Sequence, residues 1–143
     1  MGNRAVITWG TPSNYEDSLG IYLHWNGGPD WVKSFLAYCE MRQFRSPDTD
    51  NYGYARLCQI IGNYFGGGLS LGIDLCKNLD CDNGDNGTYL CRKWRVVNRL
   101  FDNDDCNSPL LNCIVDIDVC QPMADRLGEK AIAEQYHELF EQE

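Results

Sequence analysis

The most constraining feature of the sequence is an abrupt change of hydrophobic period across three consecutive glycines. The apolar residues before the glycines are Tyr54, Leu57, Cys58, Ile61 and Phe65. Their spacing predicts an amphipathic helix. After Gly66–Gly68, leucine and isoleucine alternate with small or polar residues from 69 to 76, which is the period of a half-buried strand. The fold must therefore combine helices and strands.

The remainder of the chain continues this mixture. Short β-branched and aromatic runs predict strands at 5–9, 20–25, 88–91, 94–98 and 113–120. Helical spacing predicts helices from about 30 to 44 and from 123 to 141. Hairpins with grouped helices favour an α+β fold, an antiparallel sheet with helices packed on one face. The 143 residues have the size of one domain, in which 101–143 supply an acidic C-terminal strand and helix.

Negative charge is concentrated at the C-terminal end. The chain carries 21 acidic and 12 basic side chains, a formal net charge of −9. Residues 1–100 hold ten of each sign, so the whole excess belongs to 101–143. This sign argues against direct nucleic-acid binding, which depends on Lys and Arg contacts to phosphates. Two interpretations stay open: a solvated face that maintains solubility, or a surface for a basic partner. The candidate partner-binding residues are Asp102, Asp104, Asp105, Asp116, Asp118, Glu134 and Glu138.

Cysteine usage and the N-terminus bear on compartment and metal binding. Eight cysteines are too few for a disulfide scaffold of this length, and they include no Cys-x-x-Cys pair. The acidic stretch 80–87 does not fit the calcium-binding frame of an EF-hand. We therefore expect reduced thiols, no metal and no cofactor. With no signal peptide and no apolar run long enough to span a bilayer, we expect a soluble protein in the cytoplasm of a bacterial host cell. The oligomeric state stays open.

A strand end that leads into a helix start is the first candidate ligand site. Its residues are Tyr22, His24, Trp25, Asn26, Gly27 and Gly28. Backbone N–H groups at such a turn can bind an anion, and a histidine can donate a hydrogen bond to it. The alternative is an ordinary turn with a satisfied histidine.

Two further features extend this candidate site. Gly72 interrupts a predicted strand, and a glycine there often marks close approach of a ligand or of another backbone. Arg92 and Arg95 belong to the main basic cluster, which can hold a phosphate or a partner's carboxylate. The alternatives are a strand irregularity for the glycine and a solvated strand face for the arginines.

Catalysis is the less favoured class of function. His24 and His137 are the only histidines, and no spacing places a cysteine or serine beside either of them. Pairing of Cys39 or Cys58 with His24 is conceivable but not indicated by the sequence. We assign no catalytic residue, and a small enzyme with His24 as base is kept as the alternative.

Four segments carry a resemblance to a known family: Gly2–Thr8, Ile21–Gly28, Asn63–Gly68 and Asp80–Gly84. Over about residues 2–98 the chain resembles a family of small hypothetical proteins of bacteria, their phages and mobile elements, a family with no established activity. The resemblance implies that the protein is one of the small proteins of such genetic elements, which often inhibit host defence. It predicts a non-enzymatic inhibitor that either covers a basic surface of a defence effector such as a CRISPR nuclease, or sequesters an anionic signal nucleotide.

Overall fold

The computed structural model describes residues 2–64 and 71–101. Its α-helices are α1 (Pro29–Met41) and α2 (Tyr52–Tyr64). Its strands are β1 (Ala5–Thr8), β2 (Leu19–Leu23), β3 (Leu71–Leu75), β4 (Thr88–Arg92) and β5 (Arg95–Leu100). Short 3₁₀ helices, Tyr15–Asp17 and Cys76–Asn78, precede β2 and follow β3. No helix of the described residues is long and apolar enough to cross a membrane.

The strands form one sheet in the order β3-β2-β1-β4-β5. The sheet and its two helices confirm the predicted α+β fold. The sheet is mostly antiparallel, as predicted; the exception is at its centre, where β1 and β4 run parallel, with Val6 opposite Thr88. The other neighbouring strands are antiparallel. The parallel pair arises because residues 76–87, which we call the crossover segment, carry the chain from β3 across β2 and β1 to β4.

One face of the sheet packs against both helices. The fully buried contributors are Ala5, Ile7, Ile21, Leu23 and Tyr89 from the strands and Val32, Phe35, Cys39, Leu57 and Ile61 from the helices. The strand residues alternate along their strands, so they share one side of the sheet. Cys39 therefore acts as a small apolar core residue, as its helical position predicts.

The opposite face is covered by the crossover segment. Val6 and Thr8 point away from the helices and are nevertheless fully buried. Gly20 lies against this cover, since a Cβ on it would be 2.7 Å from the Cys76 sulfur and 3.1 Å from a Val6 methyl group. Only a glycine allows the crossover segment to approach β2 this closely. The central strand β1 is consequently buried on both sides.

The predicted element boundaries in the described residues agree with the structure to within three residues. The largest difference is the end of α1, which stops at Met41 instead of about 44. Gln43 adopts a positive φ of 60°, and the Phe44 N–H donates to the Cys39 carbonyl at 3.2 Å. That pattern ends a helix. The predicted strand at 113–120, the predicted helix at 123–141 and Gly66–Gly68 lie outside the described residues.

Candidate functional site

The segment before β1 is fastened to the turn that follows β2. The Asn3 N–H donates to the His24 carbonyl at 2.9 Å, and the Gly27 N–H donates to the Asn3 carbonyl at 2.8 Å. The Gly27 carbonyl accepts a hydrogen bond from the Tyr89 hydroxyl at 2.8 Å. Both backbone polar groups of Gly27 are thus used inside the protein, and this glycine does not offer the free N–H group expected of an anion site.

Close packing also accounts for the glycine at position 27. A Cβ there would lie 2.6 Å from the Asn3 carbonyl oxygen and 2.7 Å from the Ala5 Cβ. The preceding Asn26 has a positive φ of 58°, which asparagine tolerates better than most residues. Gly28 precedes α1 as its N-cap and makes no side-chain cap. The Asn26–Gly28 turn is therefore built to bring the N-terminal segment against the start of α1.

His24 is oriented by a neighbouring tyrosine. The Tyr22 hydroxyl lies 3.0 Å from His24 Nδ1. Burial raises the pKa of Tyr22, so the hydroxyl keeps its proton, and this hydrogen bond orients the imidazole ring in either tautomer of His24. The Trp25 ring meets the His24 ring edge to face at 5.0 Å between centroids and remains 45% exposed. The aromatic and imidazole groups expected at the site are thus brought together.

Gly72 lies directly opposite Tyr22 in the β2–β3 pair. A Cβ on Gly72 would be 3.9 Å from the Tyr22 Cβ, an ordinary contact distance. Glycine is therefore not required here by close packing with the rest of the described protein. The glycine places no side chain against Tyr22, which is half-buried.

Arg4 completes the group and was not identified from the sequence. Its Nε donates to the Asp85 carboxylate at 2.8 Å and its Nη1 to Asp80 at 3.0 Å. The backbone N–H of Arg4 also donates to Asp85, at 3.0 Å. The hydrogen bond from the Arg4 guanidinium lowers the pKa of Asp85, which stays ionised. With His24 and Gly2, Arg4 and Asp85 line an open cavity of about 530 Å³.

Two asparagines hold these carboxylates in place. Within the described residues the Asn83 side chain makes five hydrogen bonds, accepting from the N–H groups of residues 85, 86 and 87 and donating to the carbonyls of residues 80 and 87. The Asn86 amide donates to the Asn3 side chain at 2.6 Å and to the Arg4 carbonyl at 3.0 Å. Gly87 follows with a positive φ of 69°. The two Asn-Gly pairs of this stretch thus organise the loop that faces Arg4.

Arg92 and Arg95 lie at the other end of the sheet. Leu23 lies opposite Ala5 and Leu90 opposite Thr8 in the strand register. If both registers are continued, His24 and Arg92 fall beside positions 4 and 10, which are separated by about 20 Å at 3.3 Å per residue. Arg95 pairs with Glu40 of α1 at 3.2 Å. Arg92 lines a second cavity, of about 370 Å³. The structure therefore does not bring these two arginines to the His24 turn, and the expectation that they assist a ligand there is corrected.

Buried thiols and metal ligands add little to the site. Burial raises the pKa of Cys39 and of Cys58, so neither is an activated nucleophile beside His24. Among residues 2–64 and 71–101, no group of three or more His, Cys, Asp or Glu side chains is arranged to hold a metal ion.

No family model, curated protein or solved structure matches the chain. The candidate partner-binding acids from Asp102 to Glu138 lie outside the described residues. Function has to be inferred from the chemistry of the described site and from the charge pattern of the sequence.

Proposed function

We propose that this protein is a non-enzymatic inhibitor, carried by a phage or mobile element, that covers a basic surface of a bacterial defence protein. The observation that carries the proposal is the double pairing of Arg4. Among the described residues, Arg4 is the cation that lines the His24 cavity, and two carboxylates already hold it. An anionic ligand would have to displace one of them, whereas a basic group of a partner would meet a net negative charge.

The charge pattern of the whole chain points to the same class of partner. The described residues carry equal numbers of acids and bases, and the excess of nine negative charges belongs to 101–143. Such an excess accelerates encounter with a basic surface and suppresses encounter with nucleic acid. This negative charge is complementary to a basic partner surface, such as the nucleic-acid channel of a CRISPR nuclease.

Sequestration of a signal nucleotide is the second candidate, and one observation favours it. Trp25 offers an exposed ring for stacking, next to the His24 imidazole. The engaged N–H of Gly27 and the distance to Arg92 and Arg95 weigh against it.

An enzyme with His24 as base has less support. The hydrogen-bond partner of His24 Nδ1 is the Tyr22 hydroxyl and not a carboxylate, which is the group that raises the basicity of a catalytic histidine. Loss of a measured turnover in His24→Ala, with the fold retained, would nevertheless establish this alternative.

The proposal is tested by binding to a purified CRISPR nuclease over a range of salt concentrations. The test variant is Asp102→Asn, Asp104→Asn and Asp105→Asn combined. Its matched control is Glu16→Gln, Asp30→Asn and Asp82→Asn, three exposed acids of the described residues. We expect the test variant to bind about tenfold more weakly at low salt and the control to bind like the unaltered chain. Equal binding by both variants, or no binding by the full chain, contradicts the proposal for this nuclease.

Native mass spectrometry of the protein purified from bacterial lysate separates the two binding modes. A bare chain mass, equal to that of a denatured sample, is expected for an inhibitor of proteins. Excess mass in the nucleotide range that is lost on denaturation would favour sequestration instead. Trp25→Ala should then remove the extra mass.

A further inference from the structure

Two cysteines meet where the crossover segment begins. Cys76 opens a 3₁₀ helix, and its carbonyl accepts the Leu79 N–H at 3.0 Å. The Cys81 N–H donates to the Leu79 carbonyl at 2.8 Å, and the Cys81 thiol lies 3.2 Å from the Cys76 carbonyl oxygen. These bonds fold the chain back on itself, so that the Cys81 side chain lies against Cys76. The sequence spacing, with four residues between the cysteines, did not indicate this pairing.

The two thiols have different surroundings. Cys76 is 1% exposed and packs against Gly20, whereas Cys81 is half-buried and accessible from solvent. The Cys81 S–H donates to the Cys76 carbonyl, and the proximity of the two side chains lowers the pKa of Cys81 and raises that of Cys76. Because a solvent-borne oxidant can reach Cys81 and not the buried Cys76, Cys81 is the nucleophile of the pair, and Cys76 is the sulfur placed to react next.

Other thiols of the described residues lack this combination. Cys39 and Cys91 are fully or almost fully buried, and burial raises the pKa of each. Cys58 is half-buried like Cys81, but burial raises its pKa and no neighbouring cysteine acts on it. Cys58 is consequently a suitable control for accessibility without pairing.

We propose that Cys76 and Cys81 are a redox modification site, which a hydroperoxide converts to an intramolecular disulfide. The Cys81 thiolate attacks one peroxide oxygen, the O–O bond breaks, and with hydrogen peroxide the second oxygen leaves as hydroxide. Cys81 is then a sulfenic acid. The Cys76 sulfur attacks the Cys81 sulfur, the S–O bond breaks, and the oxygen leaves as water with the Cys76 proton. In total, two thiols and one hydrogen peroxide give one disulfide and two waters.

The Cys76–Cys81 disulfide would cross-link the turn that presents Asp80 to Arg4. Asp80 is adjacent to Cys81 in the chain and pairs with Arg4 at 3.0 Å. The Cys81 carbonyl accepts a hydrogen bond from the Thr88 hydroxyl, also at 3.0 Å, which attaches the turn to β4. Oxidation would therefore alter how the crossover segment positions Asp80 at the cavity. This effect does not depend on which partner binds there.

The test is peptide mapping of the full chain after reduction, exposure to hydrogen peroxide and blocking of the remaining thiols. Lys77 lies between the two cysteines, so trypsin separates them unless a disulfide joins the fragments. We expect the joined fragments 57–77 and 78–92 from the unaltered chain and from Cys58→Ser. We expect their loss from Cys76→Ser and from Cys81→Ser, and their separation on treatment with a thiol reductant.

Three results would overturn the proposal. The joined fragments could persist in Cys76→Ser or Cys81→Ser, they could disappear in Cys58→Ser, or peroxide could add oxygen to separate cysteines without joining any. A measurement on the unaltered chain covers the case in which the serine variants fail to fold. At neutral pH, a maleimide should label Cys81 about tenfold faster than Cys58, because Cys81 has the larger thiolate fraction. Equal rates at the two cysteines would also count against the proposal.

Discussion

The two faces of the sheet are covered by different physical means. The helix face is held by apolar side chains such as Phe35 and Ile7, which exclude water without directional bonds. The crossover face is held largely by side-chain hydrogen bonds and ion pairs, with Asn83 and Arg4 at their centre. Apolar packing depends mainly on the volume that the side chains fill. The crossover face depends on donor and acceptor atoms at defined positions. The two faces should therefore respond differently to substitution.

The largest expected effect is on the helix face. Phe35→Ala removes a fully buried ring from the core, and the lost burial together with the cavity should lower the free energy of unfolding by about 3–5 kcal/mol. Phe35→Leu, which keeps most of the volume, should cost about 1.5 kcal/mol or less. Urea denaturation measures both changes. An equally large loss in Phe35→Leu would show that this face also depends on a specific shape.

A smaller effect is expected from the centre of the crossover. Asn83→Ala leaves buried N–H and carbonyl groups of the loop without their partner, and should lower the free energy of unfolding by about 2–3 kcal/mol. Asp82→Ala, at the exposed neighbouring position, should change it by less than about 0.5 kcal/mol.

Asn83→Asp sharpens this prediction. Aspartate has the acceptor oxygens but lacks the amide donors to the carbonyls of residues 80 and 87. Its stability should fall between that of Asn83→Ala and the unaltered chain. Amide hydrogen exchange at residues 86 and 87 should accelerate in Asn83→Ala, and unchanged exchange there would argue against a hydrogen-bonded cover.

The smallest effect is expected at the half-buried ion pair of Arg4 with Asp85, and it depends on pH. The folded-state pKa of Asp85 is lowered, so its contribution is present above the unfolded-state pKa of about 4 and is lost as the pH falls through the lower folded-state value. Arg4→Met should abolish most of this dependence. As the pH is lowered from 5, the thermal midpoint of the variant should therefore fall less than that of the unaltered chain. The matched variant Arg56→Met should keep the original dependence, because Arg56 contacts Gln59 and the Phe44 ring instead of the Asp85 carboxylate.

The elements of the helix face could be predicted because their signal is local. Leu57 and Ile61 are spaced for one face of a helix, and Ile21 and Leu23 for one face of a strand. The candidate site was predicted only in part. The sequence indicated Tyr22, His24 and Trp25, which are neighbours in the chain. It did not indicate Arg4, which reaches Asp85 across 81 residues of separation.

The grouping of basic residues shows the same limit. Arg92 and Arg95 are close in sequence to Arg99, yet the strand direction places them away from the His24 turn, while Arg99 donates to the Asn86 carbonyl at 2.8 Å near that turn. Composition predicted a basic cluster, and the hairpin divided it between two ends of the sheet.

By itself, the sequence determined the fold class, the helix face of the sheet and the location of the acidic excess, since periodicity and charge are local properties of the chain. Tertiary structure decided the parallel β1–β4 pair, the partners of Arg4 and the meeting of Cys76 with Cys81. These depend on the path of the crossover segment over the sheet. That path is stabilised by hydrogen bonds between residues distant in sequence, such as Asn86 with Asn3, and such contacts leave no periodic pattern along the chain.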